Sequence, residues 1–209
     1  MGEIYHVFNK SIAGFRIFND SCEFTRIIYT IRYYQREKPI IKFSQFLRFH
    51  KDNIETDIAC AQKDKLVEII AYCIMPTHLH FILMPLKEKS ISSFMGNILN
   101  SYTRYFNIKY NRKGPLWEAR SKKVIIRTDE QLLHLTRYIH LNPVTAYLVD
   151  KPENWPASSY REYLSTDDNN KICNYATKLE IEPISYQRFV EDVISYQRKL
   201  AEIRKLVLE

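Results

Sequence analysis

Two histidines, His78 and His80, stand one residue apart in the run "IIAYCIMPTHLHFILMP" (69–85), which otherwise reads as buried β-strand. Side chains alternate across a strand, so both imidazoles project from one face while Leu79, Phe81 and Leu83 pack on the other. Two neutral imidazoles so placed can chelate one divalent metal, and a metal that is to activate a substrate needs a further ligand and an open position. Two histidines held by hydrogen bonds at a sheet edge would give the same pattern, so the pair alone does not decide the chemistry.

A possible partner lies about sixty residues on, in "RYIHLNP" (137–143). On a helix, Tyr138 and Asn142 are four apart and share a face, while His140 points away from both. A metal held by His78, His80 and the Asn142 side chain would leave positions open for a phosphate oxygen, with the Tyr138 hydroxyl beside it. That arrangement suits attack of a tyrosine on phosphorus, the metal stabilising the charge that develops. A bystander tyrosine near a helix end is the plain alternative.

The elements that must bring these residues together follow from periodicity. "EIYHVFNKSIAGFRIF" (3–18) reads as a strand, a turn at Gly14 and a short returning strand. Residues 19–37 form a helix, with Asn19, Asp20 or Ser21 as cap and Phe24, Ile27, Ile28 and Ile31 at helical spacing. The polar segment 52–65 has no clear assignment. Strands follow over 66–75 and 78–85, interrupted by Pro76 and Thr77, then a long helix over 90–111 capped by Ser90 or Ser92. Gly114 and Pro115 stop it. A strand over 122–128 and a capped helix over 129–142, ended by Pro143, complete the set. The order β, α, β, β, α, β plus one helix predicts an α+β chain: a ferredoxin-like βαββαβ sandwich, its antiparallel sheet backed by two helices, with an extra tyrosine-bearing helix.

Residues 1–164 are thus expected to form the catalytic-size domain, and 165–209 a linker and C-terminal helical extension. Near the end of the domain "KPENWPASSYREYL" (151–164) reads as a surface-packed loop and short helix; in the extension 165–171 is linker-like and 183–208 is one charged amphipathic helix. The pentapeptide "ISYQR" occurs at 184–188 and 194–198, but two copies match no solenoid period and read as coincidence.

The net charge is +7 and there are 15 tyrosines, a combination that suits nucleic acid, since cations neutralise phosphates and rings stack on bases. Cys22, Cys60, Cys73 and Cys173 show no CxxC spacing, which argues against a zinc knuckle or a disulfide framework. No signal pattern opens the chain, and no apolar run approaches the roughly 18 residues of a membrane span. A soluble, cytoplasmic protein without membrane contact is expected.

"AYCIMPTHLHFILMP" resembles the HUH motif of the single-tyrosine transposases: histidine, a bulky apolar residue and histidine after a Met-Pro turn. "SYTRYFNIKYNRKGPLWEARSKKVII", "YIHLNPVTAYLV" and "WPASSYREYL" are similar in order and spacing to the REP-associated tyrosine transposases and their insertion-sequence relatives, over roughly residues 4–164. The resemblance implies a metal-dependent endonuclease and strand transferase acting on single-stranded hairpin DNA. His78 and His80 match the two motif histidines, Tyr138 the nucleophile that keeps a 5′-phosphotyrosine link, and Asn142 the helix-borne polar ligand. Mg²⁺ or Mn²⁺ is the implied cofactor, although two imidazoles also tolerate zinc.

There are departures. Thr77 stands where many relatives carry Asn, with little effect expected; Thr145 replaces a commoner Arg, Tyr147 a commoner Gly, and Ser121 an often aromatic residue. Either a homodimer exchanging the tyrosine helix or a monomer fits the resemblance.

Between 104 and 127 eight basic residues face only Glu118. Arg112, Lys113, Arg120 and Lys122 are the candidate DNA-backbone contacts, the alternative being the solvated face of a helix, and Trp117 reads as structural. Two rival functions stand beside the nuclease: a domesticated hairpin DNA- or RNA-binding protein that no longer cleaves, and a metal hydrolase of small phosphodiesters.

Overall fold

The computed structural model describes residues 2–37, 39, 41–50, 54, 64–167, 171–176 and 178–208. Most of the polar segment 52–65 lies outside them. The strands are β1 (Ile4–Lys10), β2 (Val67–Met75), β3 (His78–Pro85) and β4 (Lys122–Ile126). They form one antiparallel sheet in the order β2-β3-β1-β4. This is the strand order of the expected ferredoxin-like sandwich.

The central strand β3 is apolar nearly throughout because both its faces are covered. On one face Val7, Leu79, Phe81 and Leu83 are buried under α1 (Ser21–Tyr34) and the long helix α3 (Ser90–Lys109), where Phe94 meets Phe81 edge-on at 6.0 Å. Ile27 and Ile31 of α1, and Phe94, Ile98, Tyr102 and Phe106 of α3, are the buried apolar stripes that periodicity predicts. Between α1 and β2 lies a short helix, α2 (Phe43–Phe49), whose Phe43 and Phe46 pack on Tyr33. At seven residues it is too short for its period to stand out in the sequence. The other face of the sheet carries α4 (Asp129–Thr145).

Local details depart from the sequence reading for identifiable reasons. The returning strand after Gly14 does not form; Ile17 and Phe18 instead give their N–H groups to the Pro76 carbonyl. Asp20 caps α1, accepting from the Glu23 N–H at 2.8 Å. Neither Ser90 nor Ser92 caps α3, whose cap is Lys89 in the left-handed region at φ 58°. Pro143 does not end α4: it sits in the last turn, and its missing N–H costs that turn one bond while Ala146 N–H still reaches the Asn142 carbonyl.

The segment expected to lie on the surface is largely buried. Ala157 and Ser158 bridge to the outer edge of β2, with Ile74 N–H on the Ala157 carbonyl. Tyr160 and Tyr163 of α5 (Tyr160–Leu164) are enclosed. Beyond it, Ile172, Cys173, Tyr175 and Leu179 join the same core, and Asn174 N–H binds the Ile69 carbonyl at 2.8 Å. The C-terminal part forms two helices, α6 (Pro183–Glu191) and α7 (Ile194–Leu208), in place of one. Tyr186 of the first "ISYQR" is buried and Tyr196 of the second is 60% exposed, so the two copies play unrelated parts. Among the described residues no helix is long and apolar enough to cross a membrane.

Candidate active site

Strand register assembles one face of the site. Lys10 lies opposite His78 and Phe8 opposite His80, while on the far side of β1 Phe8 faces Lys122 and His6 faces Val124. Directly opposed residues share a face, so His78, His80, His6, Lys10 and Lys122 all project toward the side that carries α4. There the edge of the Tyr138 ring meets His80 at 5.9 Å between centroids and 84° between planes, within one chain. Tyr138 itself is 46% exposed. Asn142 follows one turn later on the same helix face.

Each motif histidine has its Nδ1 engaged. The Thr77 hydroxyl lies 2.9 Å from His78 Nδ1, and His6 Nε2 lies 3.0 Å from His80 Nδ1, the two ring planes within 16° of each other. Thr77, expected to matter little, is therefore in direct contact with the pair. His6 is absent from the sequence-level site, though the parity of "IYHVFNK" puts it on the same face as Phe8 and Lys10 once β1 is placed beside β3.

Burial pushes all three imidazoles below the ordinary histidine range: His6 to about 4, His78 to about 4 with help from the Lys10 charge, and His80 to about 3 with help from its neighbours. They are neutral at physiological pH, the form in which a ring nitrogen can offer its lone pair to a metal. The Asn142 amide nitrogen is buried without a hydrogen-bond partner, an unmet valence on the side chain expected to complete the site. Among the described residues no group of three His, Cys, Asp or Glu side chains could hold a metal. Two imidazoles and an amide are donors of another composition, of a kind that a divalent ion accepts.

The basic residues do not form one track. Lys122 is on the Tyr138 face, whereas Arg120 lines a cavity of about 600 Å³ on the α3 side of the sheet with Met95, Leu99 and Trp117. Arg112 clips its own loop, donating to the Asn107 side chain and the Pro115 carbonyl, while Lys113 is exposed nearby. Trp117 is structural, its indole N–H binding Thr103 at 3.0 Å.

The tyrosine helix is held from behind by the C-terminal helices. His140, fully buried, contacts the Tyr186 hydroxyl at 2.6 Å and the Ser159 hydroxyl at 2.8 Å. Arg137 lies over the Phe189 ring, and Arg198 donates to the Val144 and Val149 carbonyls at the end of α4. Tyr147, where relatives commonly carry Gly, has φ 56°; its hydroxyl donates to Glu202 and its ring lies under Arg198.

The chain is similar over 118 residues to a REP-associated tyrosine transposase of Escherichia coli (strain K12), at 27% identity, covering 56% of this chain and 68% of that one. A Haemophilus influenzae protein named for the same class is 27% identical over 103 residues, covering 44% of this chain and 58% of its own length. A solved structure of a REP-associated tyrosine transposase bound to a REP hairpin shares the fold, with TM-score 0.50, 16% identity, and coverage of 87% of this chain and 93% of that one. A family model described as "Transposase IS200 like" matches residues 41–142, a stretch that holds both histidines, Tyr138 and Asn142. The match takes in just under half of the chain, which over that stretch is similar to the IS200-like transposases.

Proposed function

We propose that this protein is a transposase-like endonuclease and strand transferase that cuts single-stranded hairpin DNA through a 5′-phosphotyrosine intermediate. The observation that carries the reading is the contact of Tyr138 with His80 in one chain. The family match supports transposase chemistry, and the hairpin in the solved relative supports hairpin DNA as the substrate.

In this reading His78, His80 and Asn142 would hold Mg²⁺ or Mn²⁺, which would supply a Lewis acid for a phosphoryl oxygen. Lys10, beside His78, and Lys122, on the same face, attract the phosphate that Tyr138 attacks. The Tyr138 Oη–P bond forms as the P–O3′ bond breaks. The phenol gives up its proton, and the departing 3′-oxygen takes one up as a 3′-hydroxyl. Attack by another 3′-hydroxyl reverses the step and rejoins the strand, with no nucleotide cofactor.

The retention of all four residues argues against a hairpin-binding protein that has lost cleavage, which has no use for a phenol beside paired imidazoles. Labelled single-stranded hairpin DNA with Mn²⁺ tests the reading: wild type forms a covalent protein–DNA adduct and Tyr138→Phe forms none. An adduct with the mutant would refute the nucleophile assignment.

A further inference from the structure

We propose that His6 and Thr77 are positioning residues: each accepts a hydrogen bond from the Nδ1–H of a motif histidine, leaving both Nε2 lone pairs directed toward the metal. The proposal rests on the metal-binding reading above and adds the device that prepares the imidazoles for it.

A neutral imidazole carries one proton, so a ring that ligates through Nε2 must carry it on Nδ1. The partner at Nδ1 therefore decides whether the ring is ready. At His78 that partner is the Thr77 hydroxyl at 2.9 Å. At His80 it is His6 Nε2 at 3.0 Å, which can accept only if His6 carries its own proton on Nδ1. The opposite polarity, with His6 Nε2–H or the Thr77 hydroxyl donating, would put the histidine proton on Nε2 and block the lone pair.

Both acceptors are held rigidly. Thr77 lies in the β2–β3 turn, and its carbonyl accepts from Ser11 N–H at 2.8 Å. His6 belongs to β1, hydrogen-bonded on both sides, and its ring is fixed by the His80 contact and by Phe8 at 5.0 Å. The two contacts reach the pair from different elements, so they set the two rings independently. Partners at the distal nitrogen of a metal-binding histidine fix its tautomer and orientation, and their loss commonly costs about tenfold or more in metal affinity.

The experiment reads ring tautomers and metal affinity separately. In metal-free protein labelled with ¹⁵N-histidine, long-range NMR correlations are expected to show protonated Nδ1 and unprotonated Nε2 at both His78 and His80. His6→Phe keeps a packed ring without an acceptor, and Thr77→Val keeps the shape without the hydroxyl. Each should give a mixed tautomer at its own partner and raise the Mn²⁺ dissociation constant about tenfold, while His6→Gln and Thr77→Asn restore an acceptor and most of the affinity. Nε2–H at His78 or His80 in wild type would overturn the proposal, as would His6→Phe and Thr77→Val binding Mn²⁺ like wild type. The wild-type spectrum decides even if a variant fails to fold. Absence of Mn²⁺ binding by wild type would sink the metal-binding reading instead, with the metal-free tautomers still deciding the hydrogen-bond polarity.

Discussion

The Tyr138 ring stands edge-on to His80 of its own chain, 5.9 Å between centroids. The helix that carries it is fastened to that same chain at both ends and along its back. Thr128 caps the start, Arg198 takes carbonyls at the end, and Tyr186 holds His140 in the middle. Tyr138 and the paired imidazoles are thus parts of one packed unit.

A tyrosine that works with its own chain's histidines cannot be supplied by another subunit. Mixing Tyr138→Phe protein with His80→Ala protein should therefore leave adduct formation on hairpin DNA at background. Adduct formation above background in the mixture, but in neither protein alone, would show exchange of the tyrosine helix between chains.

The buried histidines make metal-free stability pH-dependent in a defined direction. His6 and His78 are held at about 4, and His80 and His140 at about 3, against an unfolded value of about 6.5. Between those limits the unfolded chain binds more protons, so stability rises with pH up to about 6.5 and is lost as pH falls toward 4. Thermal melting from pH 8 to pH 4 should show a plateau above 7 and a steep decline below 6.5. A flat profile through that window would mean the imidazoles protonate in place.

Arg198 satisfies carbonyls at the end of α4, where a cation also favours the helix dipole, and its side chain is 25% exposed. Arg198→Ala should cost about 1 kcal/mol, lowering the melting temperature by roughly 2–4 °C. Because the same bonds steady Tyr138, the rate of adduct formation should fall as well. A lower melting temperature with an unchanged rate would separate the tail from the site.

Tyr147 occupies a backbone position suited to glycine, at φ 56°. Tyr147→Gly removes a strain of about 1 kcal/mol but also the Glu202 and Arg198 contacts, and it loosens the unfolded chain. The net change in stability should stay within about 1 kcal/mol, while amide exchange in residues 194–202 accelerates. Unchanged exchange there would show that Tyr147 does not tether the tail.

Much of the scaffold was legible because its signals are local. Short continuous apolar runs marked β2 and β3, helical spacing marked α1 and α3, and parity along "HLH" set both imidazoles on one face. The spacing of Tyr138 and Asn142 carried the helix face. What stayed hidden depends on contacts between distant segments. Nothing near His6 indicates that its ring will meet His80, and nothing in the tail indicates that Tyr186 will meet His140.

The sequence alone determined the four sheet strands and the main helices between them, the histidine pair, the tyrosine helix and the resemblance that joins them, since each rests on residue type and spacing along the chain. Only the tertiary structure decided that Tyr138 meets His80 within one chain, that His6 and Thr77 occupy the two Nδ1 atoms, and that the tail belongs to the core. Those outcomes are set by strand register and by which apolar faces bury each other, and both are fixed only when the whole chain packs.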